Sequence, residues 1–83
     1  MEPKEAFGLA IKRLRQERGK AQEVLAHESK LSLTSLARIE TGRQEVRFGT
    51  LLRLAQALKL AGSELVAHAE QTLRKAPQRK STR

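Results

Sequence analysis

Hydrophobic positions recur with a period near 3.6 along most of this chain, in five stretches separated by short polar breaks. Phe7, Ala10, Ile11 and Leu14 fall at i, i+3, i+4 and i+7, while Lys12, Arg13, Glu17 and Arg18 point elsewhere. That spacing predicts an amphipathic first helix, which Pro3 can open and Gly19 can end. A short second helix is predicted from about Gln22 to Glu28, with Leu25 and Ala26 inward. Ala21 offers it no side-chain cap, so packing must support it. Leu31 fills the break before a third helix over Ser32–Thr41, capped by Ser32, anchored by Leu36 and Ile39, and stopped by Gly42.

Two further helices follow. Phe48, Leu51, Leu52, Ala55 and Leu58 predict a fourth over about 48–59, whose apolar face is the richest in the chain. A fifth is expected to be capped by Ser63, with Glu64 suited to the helix dipole, a stripe of Leu65, Val66, Ala69 and Leu73, and Pro77 at its end. No stretch alternates at period two, and the pattern reads without an internal repeat. The expectation is an all-α, compact five-helix domain over residues 1–75, followed by a basic, disordered tail over 76–83.

Composition narrows the chemistry. With 83 residues there is room for one modest core. Cysteine is absent, which removes disulfides and thiolate chemistry and suits reducing surroundings. No apolar run approaches the roughly 20 residues that span a bilayer, and Met1–Glu5 does not resemble a secretory leader, so a cytoplasmic protein without membrane attachment is expected. The net charge is +8, but Arg74, Lys75, Arg79, Lys80 and Arg83 cluster at the end with no acid among them. Such a tail is either simply solvated or in contact with phosphates, so basicity alone is weak evidence for nucleic acid.

Catalytic and metal constellations fail the same test. His27 and His68 lie on different predicted helices with no Cys or Asp to join them, so they read as solvent-facing side chains and no metal is implied. No Ser-His-acid spacing, glycine-rich phosphate loop or paired carboxylates can be assembled, so neither an enzyme nor a cofactor is expected. Phe7 and Phe48 are the only aromatic residues and lie on apolar helix faces, which leaves no stacking platform for single strands. The pair of short helices around Leu31 instead has the form that presents one helix to the groove of duplex DNA.

From about Phe7 to Leu65 the sequence resembles the phage-repressor and Cro-type helix-turn-helix family, also called the xenobiotic-response-element family. The likeness rests on IKRLRQERG, QEVLA, LARIETG and TLLRLAQAL, in that order. It implies a lambda-repressor-like fold in which helices 2 and 3 form the helix-turn-helix. It also implies that Leu33, Thr34, Ala37 and Arg38 meet bases, and that Gln22, Ser35, Arg43, Gln44 and Arg47 meet the DNA backbone. Arg15 and Glu40 match positions that form a buried ion pair in the family. Lys30 stands where the turn commonly has Gly; a left-handed conformation there would cost roughly 1 kcal/mol. Arg47 and Gly49 make a weak start for helix 4, and Lys20 replaces an apolar residue that its aliphatic stem can still mimic.

The residue chemistry agrees with those assignments. Arg38 lies opposite Leu36 and Ile39, and its donor fork suits guanine O6 and N7, a contact that discriminates by ~1–3 kcal/mol. Leu33 either packs on a thymine methyl or turns into the core, and Thr34 offers a methyl or a hydroxyl. Gln22, Ser35 and nearby amides suit phosphates. One such domain covers a half-site, so a two-fold dimer is expected, with Leu65, Val66, Ala69 and Leu73 of helix 5 as its surface unless that stripe packs within the monomer. The expected function is a homodimeric, sequence-specific regulator that represses by occluding a promoter. The alternative is an antitoxin-type protein that binds a toxin partner and regulates its own operon.

Overall fold

The computed structural model describes residues 1–76, and the expected tail from Pro77 onward lies outside them. The fold is all-α. Among the described residues five helices follow one another, α1 Pro3–Glu17, α2 Gln22–Glu28, α3 Leu33–Glu40, α4 Phe48–Ala57 and α5 Gly62–Lys75. Helix α1 runs along α5 and crosses α3, α2 packs on α3 and α4, and α4 closes on α5. Their inward stripes meet in one core of Ile11, Leu14, Leu25, Leu36, Ile39, Leu54, Leu58 and Leu65, all fully buried. Burying each such side chain contributes about 1.5–3 kcal/mol, the main support for helices as short as α2.

Close approach, as well as apolar burial, fixes the α1–α3 crossing. A Cβ on Gly8 would collide with the main-chain carbonyl of Ile39 and lie 3.1 Å from the carbonyl carbon of Glu40. The glycine inside α1 is therefore a contact surface. Its role was not visible in the helical spacing.

Four of the helix ends are built alike. Gly19, Lys30, Gly42 and Lys59 each take a left-handed conformation, with φ of 65°, 58°, 75° and 63°. The residue after each returns its N–H to a carbonyl in the last helical turn: Lys20 to Arg15 O at 3.0 Å, Leu31 to Ala26 O, Arg43 to Arg38 O and Leu60 to Ala55 O, each of the last three at 2.8 Å. Lys30 thus takes the left-handed conformation in spite of its cost. Lys59 repeats it.

The turns at Lys30 and Lys59 are equivalent in more than their dihedrals. Leu25-Ala26 and Leu54-Ala55 precede them, Lys30-Leu31 and Lys59-Leu60 form them, and Leu36 and Leu65 anchor the helices that follow. The same turn thus joins α2 to α3 and α4 to α5, a likeness confined to the turn and its flanking apolar residues. The outer residues differ, so hydrophobic periodicity alone does not reveal it.

Three local expectations also change. Helix α5 begins at Gly62 with Ala61 as its N-cap, ahead of Ser63, because the Lys59 turn fixes the loop length. Glu64 closes that end by accepting the Ala61 N–H at 2.7 Å. Phe48 is 74% exposed and Leu52 lies half out of the core, so the fourth apolar face is wider than the interior it covers. His68 is partly buried, with Nδ1 3.1 Å from Arg13 Nη2.

Candidate nucleic-acid interface

Helix α3 carries two chemically distinct faces. Ser32 caps it by accepting the Ser35 N–H at 3.0 Å, and Leu36 and Ile39 bury its inner side. On the outer side Thr34 and Arg38 are exposed, Ala37 and Ser35 partly so, and Leu33 is 45% exposed. Leu33 therefore lies outside the core.

The following loop continues this face. Gly42 turns the chain sharply against α1, where an added Cβ would lie 2.8 Å from Glu5 Cγ and 3.0 Å from Glu5 Cα. Arg43 is held beside the end of α3 through its bond to the Arg38 carbonyl. Gln44 is partly buried, and Arg47 is exposed at the N-cap of α4, which has no side-chain cap of its own.

A buried polar network holds the back of this surface. Arg15 grips the Glu40 carboxylate with two donors, Nε to Oε2 at 2.7 Å and Nη2 to Oε1 at 3.0 Å, and gives Nη1 to the Lys20 carbonyl at 2.8 Å. The Glu40 side chain is 1% exposed, so it depends on these donors for the solvation it has lost. Gln22 supplies a further one, Nε2 to Oε1 at 2.9 Å. That bond orients the Gln22 amide and leaves its second hydrogen for an outside acceptor. Lys20 joins α2 by a 2.6 Å contact with Glu28.

The arginines divide accordingly. Arg15, Arg18 and Arg53 are spent inside the fold, where Arg18 donates to the Leu58 carbonyl and Arg53 to the Ser29 carbonyl, and Arg13 is engaged at the surface by Glu17 and His68. Among the described residues, no hydrogen bond or ion pair engages the side chains of Arg38, Arg43 or Arg47. Three of the four guanidiniums without such a partner among the described residues therefore sit on and just after the outer face of α3; the fourth, Arg74, is exposed near the end of α5. Sequence reasoning did not foresee the parts played by Arg18 and Arg53, because their acceptors are main-chain carbonyls 40 and 24 residues away.

The expected α5 surface needs one correction. Leu65 is fully buried between the helices and cannot face a partner, since its position is the core anchor equivalent to Leu36. Val66, Ala69 and Leu73 instead line an open apolar groove of about 270 Å³, completed by Phe7, Val46 and Leu51. No described helix is long and apolar enough to cross a membrane. Among the described residues no three His, Cys, Asp or Glu side chains gather as metal ligands.

Fold and surface together define a helix-turn-helix protein of the transcription-regulator type. Residues 6–69 match the helix-turn-helix domain family, and the chain belongs to it. It is 36% identical over 72 residues to an uncharacterized HTH-type transcriptional regulator, y4dJ, of Sinorhizobium fredii, covering 87% of this chain and 94% of that one. Among solved structures it resembles the clp gene regulator ClgR of Corynebacterium glutamicum, with a TM-score of 0.85, 27% identity, and coverage of 89% of this chain and 79% of that one. It is also similar to the restriction-modification controller protein C.AhdI of Aeromonas hydrophila, with a TM-score of 0.72, 34% identity, and coverage of 75% and 94%. The Cro-type likeness read from the sequence agrees with these matches, and DNA-binding regulation is the role of the family.

Proposed function

We propose that the protein is a sequence-specific duplex-DNA regulator that acts as a homodimer, with α3 in the major groove, and represses by occluding a promoter. The carrying observation is the sorting of arginines around α3: Arg15 and Arg53 are bonded into the fold behind it, whereas Arg38, Arg43 and Arg47, on and after it, are exposed and without a partner among the described residues. Base reading is assigned to Leu33, Thr34, Ala37 and Arg38. Arg38 donates to guanine, and Leu33 packs its exposed methyls on thymine. Gln22, Ser35, Arg43, Gln44 and Arg47 are assigned to the backbone, where Glu40 holds Gln22 in place. The reading needs no catalytic group and no cofactor.

Dimerisation is assigned to the apolar face around Val66, Ala69 and Leu73. The proposal requires that a second copy there set two α3 helices on half-sites ~34 Å apart along one face of the duplex. The test is selection of bound duplexes from a random pool, followed by titration of Arg38→Ala on the selected site. The loss should concentrate at one base position and reach ~1–3 kcal/mol, whereas Arg43→Ala or Arg47→Ala should weaken all duplexes alike and lower the salt slope by about 1. Failure to enrich any sequence refutes the proposal.

A further inference from the structure

The orientation of α3 is set at both of its ends, by different parts of the molecule. Its C-terminal end is tied by Glu40 to α1 and α2. Its N-terminal end emerges from the turn at Ser29, the C-cap of α2, where the main-chain carbonyls of the ending helix lack intrahelical partners. Ser29 is fully buried, so water does not satisfy that group freely. Arg53 supplies the donor: Nε bonds the Ser29 carbonyl at 3.0 Å, while Nη2 donates to Thr50 Oγ1 at 3.2 Å. The guanidinium plane is thereby held on two elements at once, the turn and α4.

The equivalent turn is treated in the same way. Leu58, the C-cap of α4, has its carbonyl taken by Arg18 Nε at 2.8 Å. Each occurrence of the repeated turn is thus fastened by one arginine from a distant segment. Only the first fastening bears on DNA. Helix α3 packs on α1 and α2, whereas α4 packs on α2 and α5, so the turn is one polar tie between α4 and the start of α3, beside the shared core and the loop that joins the two helices. The start of α4 carries Arg47, and α3 carries Arg38.

We propose that Arg53 is a positioning residue for duplex reading: by pinning the Ser29 carbonyl to α4 it locks the base-facing side of α3 in register with the backbone-facing Arg47. This rests on the function proposed above. Losing the pin leaves every DNA-facing side chain in place but frees the two surfaces to shift relative to each other. A register error harms the site at which both must fit, and scarcely affects sequence-independent phosphate contacts.

The experiment compares full-length wild type, Arg53→Met and Arg53→Lys. Each is titrated across salt with the selected duplex and with a random-sequence duplex of equal length, and amide hydrogen exchange is followed across residues 29–36 of the free protein. Arg53→Met should bind the selected duplex roughly tenfold more weakly, the worth of about one base-reading contact, with unchanged binding to random DNA and an unchanged salt slope. Exchange in the turn should quicken. Arg53→Lys should recover part of both effects, because one ammonium donor reaches the carbonyl without also fixing Thr50. If Arg53→Met is unfolded, Arg53→Lys decides the matter by showing an intermediate loss of discrimination or none. Equal losses on both duplexes with a slope lower by about 1 overturn the proposal by making Arg53 a direct phosphate contact. Unaltered exchange and discrimination overturn it too. A wild type with no preference for any duplex defeats the functional reading instead, and the exchange comparison alone then decides whether Arg53 pins the turn.

Discussion

Arg15 and Glu40 meet in a two-pronged ion pair at 2.7 and 3.0 Å, and through it the last residue of α3 is tied to the C-terminal turn of α1. Lys20 and Gln22 complete the arrangement, one through its carbonyl and the other through its amide. Glu40 therefore serves the recognition surface from behind, by holding α3 and orienting Gln22.

Removing one partner should cost far more than the pair gains in isolation. Glu40→Ala leaves the Arg15 guanidinium mostly buried without its counter-charge, and a loss of about 3–5 kcal/mol is expected. Urea unfolding followed by far-ultraviolet circular dichroism reads it directly. Joint replacement by Arg15→Met and Glu40→Leu should lose much less, because no charge is then stranded. A double variant as unstable as Glu40→Ala would contradict this account.

At Gly8 two effects oppose each other. Alanine gains up to about 1 kcal/mol of helix propensity, but its methyl meets the Ile39 carbonyl and the Glu40 main chain, rigid groups that cannot swing aside. Overpacking of this kind costs about 1–3 kcal/mol, so Gly8→Ala should lower stability on balance. A raised melting temperature would show that α1 and α3 do not approach so closely.

Lys30 and Lys59 offer the opposite opportunity. Each holds a left-handed conformation that costs a non-glycine residue about 1–2 kcal/mol, against a glycine entropy penalty of about 0.5–1 kcal/mol. Lys30→Gly and Lys59→Gly should each stabilise by roughly 0.5–1 kcal/mol and add in the double variant, since the turns are separate. Denaturant midpoints of the two single variants and the double variant check both sign and additivity.

Neighbouring residues of α5 should fail in different ways. Leu65→Asp buries a carboxylate in the core and should leave the chain unfolded. Val66→Asp, at an exposed position lining the apolar groove, should leave a folded monomer with weak operator binding. Circular dichroism and sedimentation distinguish the outcomes. A Val66→Asp dimer unchanged in sedimentation would remove this face from the proposed interface.

The helix count, most helix limits and the inward residues of α1 to α3 were legible in the sequence because a 3.6-residue period reports directly on which side of a helix meets apolar surroundings. Ser32 as a cap and Gly42 as a stop were legible for the same local reason: one side chain or one missing Cβ decides them. Pattern also placed Arg38 opposite Leu36 and Ile39, and the family likeness singled out Thr34 and paired Arg15 with Glu40.

Only the tertiary structure decided matters that depend on where distant segments meet. Periodicity cannot tell Leu65 from Val66 at the edge of one stripe, because the packing of α1 and α4 determines which of them is enclosed. It cannot show that Phe48 lies outside, that Gly8 touches the Ile39 carbonyl, or that Arg53 reaches Ser29, since each depends on the crossing of helices remote in sequence. A helix's own residues determine its faces. The geometry of its neighbours determines which faces are covered and which carbonyls find a donor.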